Sequence, residues 1–209
     1  MKLISLLSGG IDSPVASYLM LNKGHEVIPV HFLHQTTNTT EHKIRQLITI
    51  LAKKTNKTIR AYLIPFQKIQ YEIIKTVPPR YRMIVYIRTM LRIAEEILKT
   101  EKADAILTGD NLGQVASQTM DNLKAASNGI STPIFRPLLT YNKEDIIKAA
   151  REIGTYNISL EEYKDCCSII AKNPNTKTKV EKLMASADST KVEDLIRNSM
   201  KEVGFYEFR

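Results

Sequence analysis

Cysteine is nearly absent from this chain of 209 residues: there are two, Cys166 and Cys167, and they are adjacent. That excludes a disulfide framework and a zinc site built on four thiolates. No apolar run approaches the ~20 residues that a membrane-spanning helix needs. Met1-Lys2-Leu3-Ile4 leads into Ser8-Gly9-Gly10 too soon for a signal peptide. There is no internal repeat and no low-complexity segment. These absences point to a cytoplasmic protein without a membrane partner. With 43% hydrophobic and 25% charged residues, the chain can bury a core of its own. The excess is of positive charge, 30 basic against 22 acidic residues and a net +8. A polyanionic partner such as nucleic acid fits that balance, although many soluble proteins are basic without one.

Apolar runs alternate with helical patterns along the first three quarters of the chain. Leu3 to Leu7, Val27 to Phe32, Thr58 to Ile64, Ala103 to Thr108 and Ile134-Phe135 read as strands. Between them the pattern predicts helices after Pro14, from Thr40 to about Lys54, from Met83 to Lys99, from Gly113 to Leu123 and from Lys143 to Ile153. Val192 to Val203 reads as a last helix. Such alternation argues for an α/β fold, with a doubly wound, mostly parallel sheet of about five strands. The pattern weakens after Gly154, where a basic, helical C-terminal extension begins. We divide the chain into residues 1–165, the α/β domain, and residues 166–209, the extension, packed on that domain.

The stretch with the most chemistry is Ser8-Gly9-Gly10-Ile11-Asp12-Ser13, at the carboxyl end of the first predicted strand. In doubly wound sheets ligands bind beyond that end. Glycines let a ligand approach the backbone N–H groups, and the following helix start favours phosphate. A tight turn with no ligand is the plainer reading of two glycines alone. The spacing matches neither the Walker loop nor the dinucleotide fingerprint. Asp12 would repel a phosphate directly, but it suits Mg²⁺ held against phosphates.

Ser-Gly-Gly-x-Asp-Ser after a first strand resembles the pyrophosphate loop (PP-loop) of the ATP pyrophosphatases, which have an adenine nucleotide alpha hydrolase-like, Rossmann-like fold. Three further stretches narrow the resemblance: Thr108 to Thr119, Phe135 to Ile147 continuing through Ala150 to Tyr156, and Tyr163-Lys164-Asp165-Cys166-Cys167. Together they resemble the catalytic domain of the ThiI family of tRNA 4-thiouridine synthases. The resemblance implies ATP and Mg²⁺ as cofactors and tRNA as substrate. ATP adenylates O4 of uridine 8, and a cysteine persulfide then displaces AMP; related proteins also serve thiazole synthesis for thiamine. It implies nucleotide contacts from Leu6, Leu7, Ser8, Gly9, Gly10, Asp12, Ser13, His31, Phe32, Gly109 and Gln118, with Asp12 toward the metal. Where the family usually has a basic residue this chain has Ile87, so that contact passes to backbone atoms or to Arg88. His31 otherwise reads as a satisfied strand-end histidine, and a metal pair with His34 lacks further ligands at suitable spacing.

By the same resemblance Lys143 is a catalytic lysine. A catalytic cysteine falls on Cys167 when counted back from Lys172 and Pro174, and on Cys166 when counted forward from Lys143; Cys167 is preferred. Two small buried hydrophobes are the plainer reading of that pair. Sulfur transfer needs a persulfide and then a second thiol, which Cys166 or an external thiol supplies. An iron–sulfur cluster fits adjacent cysteines poorly. The sulfur donor is expected to be a cysteine desulfurase or sulfide. Family members usually carry a THUMP tRNA-binding domain ahead of this one, and the longer bacterial forms a rhodanese domain after it. With only Met1 to Leu7 before Ser8, we expect a separate THUMP-type partner or a homodimer. Arg80, Arg82, Arg88 and Arg92, with Lys172, Lys177, Lys179 and Lys182, are candidates for holding tRNA phosphates. The rival readings are a PP-loop enzyme thiolating or amidating another base or small molecule, and a non-catalytic ATP-binding subunit.

Overall fold

A computed structural model describes residues 1–34, 38–115, 117–161, 176–181, 183, 191–201 and 203–209. The strands are β1 (Lys2–Leu6), β2 (Glu26–Leu33), β3 (Ile59–Pro65), β4 (Ala105–Leu107), β5 (Ile134–Phe135) and β6 (Phe205–Phe208). The helices among the described residues are α1 (Asp12–Asn22), α2 (Asn38–Thr55), α3 (Gln67–Thr76), α4 (Pro79–Glu101), α5 (Met120–Ser127), α6 (Lys143–Ile153), α7 (Tyr156–Leu160) and α8 (Val192–Lys201).

The sheet order is β5-β4-β1-β2-β3-β6. Five strands are parallel, with Leu3 opposite Val27 on one side and Ala105 on the other. The order runs outward from β1 through β2 and β3, then returns to place β4 on the other side of β1. The switch point therefore lies between the carboxyl ends of β1 and β4, where such folds bind ligands.

Period-two alternation splits the core into two layers. Ile4, Ile28, Val30, Phe32, Ile64 and Ile106 face α3, α4, α5 and α8. Leu3, Leu7, Val27, Leu63, Ala105 and Leu107 face α1, α2 and α6. Burial on both faces is why these strands read as apolar runs.

Four details differ from the expectation. The expected five parallel strands are present, and a sixth joins them: Phe205–Phe208 pairs antiparallel with β3 at its edge. Only Phe208 of that strand is buried, so its local pattern is weak, and its partner lies far back in the chain. Helix α3 was not anticipated; Ile69 and Ile73 anchor one buried face, and it ends at Val77, held extended before Pro78. The helix expected from Gly113 begins only at Met120, where Thr119 caps it by accepting from the Asn122 N–H at 3.3 Å. Helix α4 also starts earlier than expected, with Pro79 in its first turn.

One ion cluster ties three elements at the amino end of the sheet. Glu101, whose side chain is 9% exposed, accepts from Lys2 Nζ at 2.8 Å and from Arg60 Nη2 at 2.9 Å. Tyr62 O–H donates to its other oxygen at 2.5 Å. Burial alone would raise the Glu101 pKa, but the Lys2 and Tyr62 hydrogen bonds and the Arg60 charge pull it below 4.5. Burial, followed by the Glu101 bond and charge, pushes Tyr62 up to about 12. A depressed carboxylate contributes stability above its unfolded pKa and loses it as pH falls through the folded value. Glu101→Gln is therefore expected to cost about 1–3 kcal/mol at pH 7, measured by urea unfolding. The gap from the parent should shrink in acid below the unfolded carboxylate range; a gap that widens there would refute this account.

Candidate functional site

At the switch point the loop after β1 folds onto the start of α1 through serine hydroxyls. Ser5, Ser13 and Ser17 are buried. Ser17 Oγ donates to the Ser13 carbonyl at 2.9 Å and lies 2.8 Å from Ser5 Oγ. Ser13 Oγ accepts from the Ser8 N–H at 2.8 Å and lies 3.0 Å from Ser8 Oγ. The Gly10 N–H donates to Ser8 Oγ at 3.2 Å. Helix α1 begins after Ile11, which has no side-chain acceptor to offer. Its first-turn N–H groups thus have no side-chain cap, and with the helix dipole they favour an anion.

The loop after β4 closes against that helix start. A Cβ on Gly109 would stand 2.7 Å from Ser13 N, 2.8 Å from Ser13 Cα and 2.9 Å from the Asp12 carbonyl carbon. Only hydrogen fits there. The rest of the loop is latched to the segment after β5. Asn111, buried, donates through Nδ2 to the carbonyls of Leu138 (2.8 Å) and Tyr141 (2.7 Å). Asp110 accepts from Arg136 Nε at 3.0 Å and from Thr108 Oγ1 at 2.8 Å. Fixing Tyr141 fixes the start of α6, two residues on.

Helices α1 and α6 pack together, and each opens on a charged residue, Asp12 and Lys143. Lys143 Nζ donates to Asp12 Oδ1 at 2.7 Å and to Gln114 Oε1 at 3.1 Å. A cation at a helix start is electrostatically misplaced, and a partly exposed pair adds little stability. The arrangement therefore serves the site more than the fold. Asp12 is the one carboxylate in the Ser8–Ser13 loop, which suits a cation held by one protein ligand and by phosphates. Among the described residues no three His, Cys, Asp or Glu side chains group as a metal cage.

The remaining candidates are spread around this centre. Leu6 ends β1, and the Leu7 N–H donates to the Val30 carbonyl at 2.9 Å. His31 is buried with Nδ1 2.8 Å from the Leu7 carbonyl; a carbonyl only accepts, so Nδ1 carries the hydrogen. The Phe32 ring points to the opposite face, edge-on to Phe66 at 5.1 Å, leaving its backbone toward the strand end. Gln118 ends the turn that follows Gly113: its carbonyl accepts from the Gly113 N–H at 3.1 Å. Its Oε1 is buried without a hydrogen-bond partner. Arg88 donates to the Asn128 carbonyl, beyond α5, and Arg92 pairs with Glu193 of α8; both thus brace neighbouring segments.

Cys166 and Cys167, with Lys172 and Lys182, lie outside the described residues. The chain on either side is tied to the site. Before them, Ser159 Oγ donates to the Gly10 carbonyl at 3.3 Å. Lys43 Nζ donates to the carbonyls of Ser159 and Glu161 at 3.1 and 3.0 Å. After them, the Thr176 carbonyl accepts from Thr119 Oγ1 at 2.7 Å. Sequence reasoning assigned no role to Gln114, Asp110, Asn111 or Arg136, since their roles come from partners 26 to 30 positions apart.

The fold and this site define a doubly wound α/β domain of the PP-loop class, with a glycine turn and an uncapped helix start at the switch point. A family model described as thiamine biosynthesis protein (ThiI) matches residues 1–192. A probable tRNA sulfurtransferase of Thermus thermophilus is 41% identical over 204 residues, covering 96% of this chain and 50% of that protein. One of Staphylococcus epidermidis is 41% identical over 206 residues, covering 97% and 50%. The structure of a 4-thiouridine synthetase–RNA complex with bound ATP matches with a TM-score of 0.91 at 34% identity, over 100% of this chain and 55% of that one. NMN synthetase from Francisella tularensis, at 15% identity and a TM-score of 0.60 over 95% of this chain and 77% of its own, shares the fold. The chain belongs to the ThiI family. It spans about half the length of the curated relatives it matches. Among the described residues no helix is long and apolar enough to cross a membrane.

Gly109→Ala should cost about 1–3 kcal/mol by forcing β4's loop off α1, read as an earlier urea midpoint. A variant as stable as the parent would show that the contact relaxes freely.

Proposed function

We propose that this chain is the catalytic domain of an ATP-dependent tRNA sulfurtransferase that converts uridine 8 to 4-thiouridine. The observation that carries the reading is the meeting of Lys143 and Asp12 at an uncapped helix start, beside a serine-pinned glycine turn. It is supported by relatives named probable tRNA sulfurtransferase and by the likeness to a 4-thiouridine synthetase in complex with RNA and ATP.

In this reading the phosphates of ATP lie on Ser8 to Ser13 and the first N–H groups of α1. Leu6, Leu7, His31, Phe32, Gly109 and Gln118 line the nucleoside side. Mg²⁺, held through Asp12, would neutralise phosphate charge and ease departure of pyrophosphate. Uridine O4 attacks the α-phosphorus as the N3 proton leaves to solvent; the bond to the bridging oxygen breaks and pyrophosphate leaves. Lys143, released from Asp12, stabilises charge that develops on the transferred group. The terminal sulfur of a persulfide on Cys167 then attacks C4 and AMP departs. Cys166 attacks the Cys167 sulfur, which frees the thiouridine and leaves a Cys166–Cys167 disulfide for an external thiol to reduce. The persulfide sulfur comes from a cysteine desulfurase, or from sulfide that attacks the Cys166–Cys167 disulfide at Cys167 and frees the Cys166 thiolate. The same sulfur delivery would serve thiazole synthesis. The tethering of Ser159 to Gly10 and of Thr176 to Thr119 favours this role for the cysteines, because the chain on both sides of them is held at the site.

Incubation with tRNA, ATP and a persulfide donor should yield AMP, pyrophosphate and 4-thiouridine. Cys167→Ala should still form AMP and pyrophosphate while losing thiolation. Full thiolation by that variant, with loss in Cys166→Ala, would reverse the two cysteines. Release of AMP and pyrophosphate that ignores tRNA would direct the search to a small-molecule substrate.

A further inference from the structure

We infer that Gln114 is a further catalytic residue, one that donates a hydrogen bond to the α-phosphoryl group of ATP while its carbonyl holds Lys143. This rests on the adenylating reading above and assigns one more contact to the same site.

The side-chain amide of Gln114 is oriented by its neighbour. An ammonium group only donates, so the atom 3.1 Å from Lys143 Nζ is Oε1, and Nε2 points the other way. Nε2 carries two N–H donors, is buried and has no hydrogen-bond partner. Leaving such a donor unmade costs about 1–3 kcal/mol. That expense is sustained where a missing acceptor belongs. The acceptor must suit its surroundings: Lys143 lies on one side, and beyond it stands Asp12 at the uncapped start of α1. Both the cation and the helix start call for an anionic oxygen.

The α-phosphoryl group is the anion whose charge rises when O4 attacks. In that step the O4–phosphorus bond forms and the bond to the bridging oxygen breaks. Pyrophosphate takes the electron pair. The donor is also held in place before the nucleotide arrives. Gly113, at φ +77°, makes a turn that most residues adopt only with strain. The Gly113 N–H to Gln118 carbonyl bond closes the turn at 3.1 Å. A preorganised donor of this kind typically contributes 10²–10³-fold to turnover.

The test is Gln114→Met, which keeps the length of the side chain and removes both donors. Calorimetry in Mg²⁺ would compare three probes on parent and variant: AMP, α,β-methylene-ATP and inorganic pyrophosphate. The expected result is affinity lost for the first two, about threefold to tenfold, with pyrophosphate unchanged. Turnover to AMP with tRNA should fall about 100-fold while the KM for ATP rises by no more than the binding loss. Gln114→Asn should recover part of both, and the urea midpoint of Gln114→Met should not fall below the parent's, since the unmade donor is gone. Equal loss for all three probes would mean that the variant distorts the turn, and the assignment would fall. No loss for any probe would overturn it as well. A parent protein that binds neither nucleotide would instead remove the adenylating reading, and this assignment with it.

Discussion

The contact between Gly109 and the first peptide of α1 sets the geometry on which the site depends. It leaves room for only a hydrogen between the loop after β4 and the start of α1, at the point where the strand order reverses. Everything that could touch a ligand there is placed relative to that contact. The serine relay from Ser5 through Ser17 and Ser13 holds the Ser8–Ser13 loop from below. Asn111 and Asp110, immediately after Gly109, fasten the β5–α6 segment from the side. Buried hydrogen bonds do this better than apolar packing, because each has a direction and a length.

The same geometry explains why opposite charges meet at two helix starts. α1 and α6 approach from different parts of the chain, and Lys143 stands where the helix dipole disfavours it. Asp12 and Gln114 together supply what the dipole does not. An ammonium group held this way keeps a fixed position beside the glycine turn. The pair thus joins the glycine turn to the reactive group, and the joining is done by helix packing.

Much of the frame was legible in the sequence. Ile134–Phe135 and Lys143–Ile153 stand where the residue pattern put them, because both-face burial and a clear helical stripe leave a strong local signal. The glycine turn and its carboxylate were legible for the same reason: they are contiguous. β6 was not, since only Phe208 of its four residues is buried and its partner Ile59 is remote. Nor was the late start of α5, where the turn from Gly113 to Gln118 competes with a helix that the residue types allow. The structure gives Arg88 the Asn128 carbonyl and Arg92 the Glu193 carboxylate, which charge spacing alone does not foresee.

By itself the sequence determined the parallel α/β frame, the glycine turn with its carboxylate at Ser8–Ser13 and the family. Each of these is written in residues close together or in a motif of fixed spacing. Only the tertiary structure decided that Lys143 stands on Asp12, that the Gln114 side-chain carbonyl meets the same ammonium group, and that Gly109 cannot carry a side chain. These depend on contacts between residues 29 to 131 positions apart. Such contacts arise when helices pack on a common sheet, and no local pattern of polarity records them.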